Sequence, residues 1–82
     1  MAQRAEVIDT LFRAVRTSWD SHKKAMQDGN RGAAEEEFRF IIKILGLLFK
    51  NRHVGLEQIS EFLRTNEMPV RYIIGKVTDN ND

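Results

Sequence analysis

Between Gln3 and Gln27 the apolar side chains Ile8, Phe12, Val15, Trp19 and Met26 recur at helical spacing, and Val7, Leu11 and Ala25 widen the stripe. No proline or glycine interrupts the run. That period is the mark of a helix with one buried face. It predicts a first helix over residues 3–27, about 36 Å long. Asp28-Gly29-Asn30 then ends it, because glycine tolerates the left-handed conformation that closes a helix and an asparagine side chain can cap the next one. So short a turn makes the first two helices antiparallel neighbours.

A second helix is predicted over residues 31–50. Glu35, Glu36 and Glu37 stand in its early turns, toward the positive end of the helix dipole, and Lys50 stands at the other end. Its second half is unusual. Phe38, Ile41, Ile42, Leu45, Leu48 and Phe49 share one broad face, while Phe40, Ile44 and Leu47 project from another, so the segment is apolar over most of its circumference. Such a helix must be covered on several sides, either by the other helices wrapped around it or by a second copy of the chain in a homodimer. Phe40, Ile44 and Leu47 are therefore candidate protein-interface residues. Trp19 and Phe12 are most economically core residues, but they are also the residue types that anchor interfaces, and they join the candidate set.

Asn51 to Gly55 makes the next turn, after which Leu56, Ile59, Phe62 and Leu63 define a short third helix over residues 56–65. Asn66, Glu67 and Met68 lead to Pro69, which suits the first turn of a fourth helix over residues 69–77 because its missing amide hydrogen is not needed there. Val70, Ile73, Ile74 and Val77 then face inward, and residues 78–82 read as a frayed polar tail. The run 71–77 also carries strand-forming side chains, and Gly75 weakens a helix by about 1 kcal/mol relative to alanine, so a short terminal strand is the alternative there. The predicted fold class is all-α: a compact four-helix domain spanning residues 1–82, a long antiparallel helical hairpin followed by two short helices.

Composition narrows what such a domain can do. Its 82 residues allow one core and no more. Leu, Ile, Val and Phe supply 23 of them, too many for a disordered chain. With no cysteine there is no disulfide framework and no thiolate metal site, which leaves helix packing and oligomerisation as sources of stability. No apolar run approaches the roughly 18 to 20 residues of a membrane span, and the amino terminus does not read as a secretory signal, so no membrane partner is expected. The expected location is cytoplasmic, or nuclear in a eukaryote. A net charge of +1 lacks the basic excess of a protein held to nucleic acid mainly through phosphates.

The reactive side chains do not assemble into a catalytic pattern. His22 and His53 are far apart in sequence, with no pairing at metal-ligand spacing; His22 continues the apolar stripe of the first helix and His53 reads as a surface turn residue. Consecutive carboxylates at 35–37 point about 100° apart and cannot converge on one ion. Gly29 and Gly32 lack the lysine and hydroxyl residue of a phosphate-binding loop. Arg13, Arg16, Lys23 and Lys24 are interleaved with Asp9 and Asp20, an ordinary charged face. Catalytic residues, metal ligands and cofactors are accordingly none.

One segment has a recognisable order. Ile59 followed by the small Ser60, then Leu63, Val70 and Ile73, matches the buried positions that hold a helix-turn-helix together, and Gly55 to Val77 resembles that family. Where the family usually has a glycine and then an apolar residue in the turn, this chain has Arg64, Thr65 and Asn66. Too few residues follow Val77 for the hairpin of a winged member. The resemblance implies a DNA-reading surface on the outer side of the fourth helix, at Arg71, Tyr72 and Lys76, with Arg64 and Arg52 near phosphates. The segment from Asn51 onward holds four basic and five acidic residues, and such a face must avoid the acidic Glu57, Glu61, Glu67 and Asp79.

Two functions are thus expected from the sequence. The leading one is a small non-catalytic protein-interaction or regulatory module acting through the helical hairpin and associating with itself or a protein partner. The alternative is a helix-turn-helix DNA-binding transcriptional regulator, with nucleic acid as its partner.

Overall fold

A computed structural model describes residues 2–79 of the chain, with side chains from Ala5 onward. Among these residues there are four helices and no strand.

Helix α1 spans Ala2–Gln27 and α2 spans Arg31–Lys50. The turn between them is fixed by two residues. Gly29 adopts φ 74°, the left-handed conformation that costs glycine little. Its amide donates to the Met26 carbonyl at 3.2 Å, and the Asn30 amide donates to the Ala25 carbonyl at 2.9 Å, closing α1 in a Schellman turn. Asn30 also opens α2: its Oδ1 accepts from the Ala33 amide at 3.1 Å and its carbonyl accepts from Ala34 at 3.0 Å. One asparagine therefore finishes one helix and starts the next, which folds the two back on each other along their length.

After α2, Asn51 takes an extended conformation and its Oδ1 accepts from the His53 amide at 2.8 Å. That turn carries Val54 into the core. Helix α3, Leu56–Thr65, starts at Gly55, whose carbonyl accepts from Gln58 and Ile59. It ends in a second Schellman turn, with Glu67 donating to Arg64 at 3.1 Å and Met68 donating to Leu63 at 2.9 Å. Here the left-handed position, φ 56°, belongs to Glu67 and not to a glycine.

Helix α4 is Val70–Asp79. Pro69 stands just ahead of its first residue and lends a carbonyl to the Ile73 amide at 3.0 Å. The strand alternative for 71–77 is overturned: Ile73 and Val77 are buried and Val70 and Ile74 half-buried, a spacing only a helix turns to one side. Thr78 and Asp79, expected in the tail, are helical, and the Thr78 hydroxyl donates to the Ile74 and Gly75 carbonyls. The rest of the expected tail, 80–82, lies outside the described residues.

The core centres on α2. Ile41, Leu45 and Leu48 are fully enclosed, by Val15 and Phe12 of α1, Ile59 and Leu63 of α3, Met68, and Ile73 and Val77 of α4. The Phe12 and Phe62 rings, 4.7 Å apart, tie α1 to α3, and the Phe38 and Tyr72 rings, 5.8 Å apart, tie α2 to α4. The molecule measures 43 × 27 × 20 Å. Its thinnest dimension is about two helix diameters, and α3 and α4 pack on each other and against the α1–α2 hairpin.

Candidate interaction surfaces

The apolar surplus of α2 is divided by this packing. Phe38 carries the contact with α4, and Phe40 and Leu47 lie about 160° to 180° round the helix from it. Both stay largely exposed, Leu47 at the border of the groove between α2 and α4. Phe40 is 43% and Leu47 55% exposed, whereas Ile44, between them in sequence, is only 9% exposed and belongs to the core. The third residue of the expected interface stripe is thus taken up by the chain's own packing, in the core cluster that also holds Phe12 and Val15 of α1. Phe12 is likewise buried, against Phe62. Trp19 is half-buried at the core edge, its ring stacked on His22 with centroids 5.2 Å apart. Of the five candidate interface residues, the fold leaves Phe40 and Leu47 facing outward.

Charge gathers on the next flank of α2. Arg39, Lys43 and Lys50, with Lys76 of α4, line a groove of about 610 Å³ between the two helices. Ile42 and Gly46 form its floor, and Phe38, Leu47 and Tyr72 its apolar walls. Lys76 Nζ lies 5.6 Å over the Tyr72 ring, within cation–π range. Sequence reasoning passed over Arg39, Lys43 and Lys50. The signal was available: spacings of four and seven residues place all three within about 40° of one another on a helix.

A chain of rings crosses the surface from α1 to α4. Trp19 stacks on His22, His22 tilts against Phe38 at 5.7 Å, and Phe38 meets Tyr72. His22 also fixes the hairpin directly, its Nδ1 lying 2.8 Å from the Ala34 carbonyl. A carbonyl only accepts, so Nδ1 is the donor in that hydrogen bond. His53 is exposed in the α2–α3 turn.

The positions implied by the helix-turn-helix resemblance are spread over several surfaces. Ile59, Leu63 and Ile73 are buried between α3 and α4, with Ser60 and Val70 half-buried. The turn differs from the expected Arg64, Thr65 and Asn66. Arg64 and Thr65 are still helical, and the connection is Asn66–Pro69, because burial of Met68 against Leu63 requires the left-handed step to fall at Glu67. Tyr72 and Lys76 turn toward the α2 groove, while Arg71 stands about 100° round α4 from Tyr72. Arg64 is ion-paired to Glu61 at 2.7 Å, and Arg52 is exposed in the turn after α2.

Among the described residues no group of His, Asp and Glu side chains is placed to hold a metal ion. Glu35 pairs with Arg39 at 3.8 Å on the exposed side of α2. No described helix is long and apolar enough to cross a membrane. No family model, curated protein or solved structure shows significant similarity to this chain.

Proposed function

We propose that this protein is a small non-catalytic interaction module whose helical hairpin associates with a second copy of itself or with another protein. The observation that carries the reading is the pair Phe40 and Leu47, two large apolar side chains left exposed on α2, about 160° to 180° round the helix from the Phe38 contact with α4. Side chains of this type on a rigid helix are the usual anchors of an interface, since their burial removes apolar surface from water with little ordering cost. A small domain that leaves large apolar side chains exposed on one helix of a hairpin can complete its packing by pairing two such hairpins as a four-helix assembly.

Sedimentation of the purified chain across a concentration series tests this. The wild type associates with rising concentration, and Phe40→Ser with Leu47→Ser yields a folded monomer with unchanged helical content. A wild type that stays monomeric at all concentrations and captures no protein partner removes the proposal.

The alternative, DNA binding through α4, draws support from the buried Ile59, Leu63 and Ile73 that brace α3 against α4, and from the exposure of Arg71. It is the weaker reading, since Tyr72 and Lys76 lie along α2 and acidic side chains interrupt the outer surface. Co-sedimentation with a random-sequence duplex, lost on charge reversal at Arg71 and Lys76, would favour it.

A further inference from the structure

The groove between α2 and α4 has a chemistry of its own. Arg39, Lys43, Lys50 and Lys76 surround it and, among the described residues, no carboxylate lines it. Lys43, Lys50 and Lys76 have no acidic side chain within ion-pair distance among the described residues, and Arg39 has only the 3.8 Å contact to Glu35. In a chain of net charge +1, this local excess is produced by the fold and not by composition. Like charges held together on a concave surface raise the potential there and draw an anionic ligand.

The bed of the groove decides between anions. Ile42 lies along it, and Gly46, with no side chain, leaves it low. Leu47 and the ring of Tyr72, 58% exposed, stand on either side. A single strand of nucleic acid in a cationic groove stacks its bases on a succession of aromatic rings, whereas here the well exposed walls are one ring, Tyr72, and the aliphatic Leu47. A duplex needs a protruding element to enter its groove, not a recess. An apolar trough with a cationic rim instead matches a helix that is apolar on one face and acidic on its flanks.

We infer that the α2–α4 groove is a docking site for an acidic amphipathic segment of a protein partner. Its apolar face rests on Ile42 and Gly46 against Leu47 and Tyr72, and its carboxylates pair with Lys43, Lys50 and Lys76. This goes beyond the proposed self-association by naming a second face and the chemistry of what it takes. Only Leu47 borders both faces.

Fluorescence anisotropy on the full chain tests it with labelled synthetic peptides of about 16 residues, long enough to form a helix when bound. The probes are a glutamate-rich peptide with leucines at helical spacing, the same residues in scrambled order, and a short oligothymidylate. The expected result is saturable, salt-sensitive binding of the patterned peptide, stronger than of the other two. Lys43→Glu with Lys50→Glu weakens it about tenfold or more, and Lys43→Gln with Lys50→Gln by less, while circular dichroism is unchanged. Phe40→Ser, which tests self-association separately, leaves peptide binding intact, so the two proposals fail independently. Equal binding of the scrambled peptide, preference for the oligothymidylate, insensitivity to the lysine reversals, or no binding at all would each overturn the inference.

Discussion

Glu67 occupies a backbone conformation that its side chain disfavours, and replacing it with glycine should stabilise the domain. At φ 56° it is the sole non-glycine residue with positive φ among the described residues. Its position is imposed by its neighbours: the Glu67 and Met68 amides close the α3 Schellman turn, and Met68 is buried at 4% exposure. An L-residue in the left-handed region costs about 1–2 kcal/mol. Glycine escapes this but gives up about 0.5–1 kcal/mol more backbone entropy on folding. The exposed Glu67 side chain makes no hydrogen bond or ion pair among the described residues, so nothing is lost with it. The net gain from Glu67→Gly is about 0.5–1 kcal/mol, a rise in Tm of roughly 2–8 °C for a domain of this size. Urea unfolding followed by circular dichroism measures it, with an unchanged m-value showing that the folded state is the same. Glu67→Ala is the necessary control, because a carboxylate near a helix carboxy-terminus is itself unfavourable. Should alanine stabilise as much as glycine, charge and not backbone strain is the cause; a neutral or destabilising glycine refutes the reasoning outright.

Other outcomes follow from the same packing. Asn30→Ala removes the side-chain cap of α2 at the point where the hairpin turns and should cost about 1 kcal/mol by denaturant titration. Gly29→Ala places a Cβ in the left-handed conformation, with open space around it, and should destabilise by about 1 kcal/mol through backbone conformation alone. Ile44→Ala should cost about 2–5 kcal/mol in the monomer, as a core deletion, whereas Phe40→Ala should change monomer stability by no more than about 0.5 kcal/mol and act on association. Equal effects of those two substitutions on unfolding would contradict the division of α2 into a core face and an outward face.

The local architecture was legible in the residue pattern because its causes are local. The stripe from Ile8 to Met26 and the Asp28-Gly29-Asn30 turn each specify their element through neighbours a few residues away. Pro69 gave the start of α4 to within one residue. The sequence alone could not say where a left-handed step would fall when no glycine marked it. The step sits at Glu67 because Met68 has to reach the core beside Leu63, a requirement set by packing partners on other helices.

The fate of the apolar surplus on α2 was also a tertiary decision. Phe40, Ile44 and Leu47 are equivalent by spacing, yet tertiary packing buries Ile44 and leaves its two companions exposed. Periodicity gives the angle of a side chain about its own axis, and only the placement of the neighbouring helices gives which angles are covered. The cationic groove follows the same logic. Arg39, Lys43 and Lys50 lie in line by sequence, but they become a site only where α4 brings Lys76 and Tyr72 beside them. What the sequence by itself determined was three helices, an amphipathic fourth segment, the α1–α2 turn and one core. That the fourth segment is a helix, where α3 turns into it, and which apolar and charged side chains remained available to a partner were decided by how those elements were laid against one another.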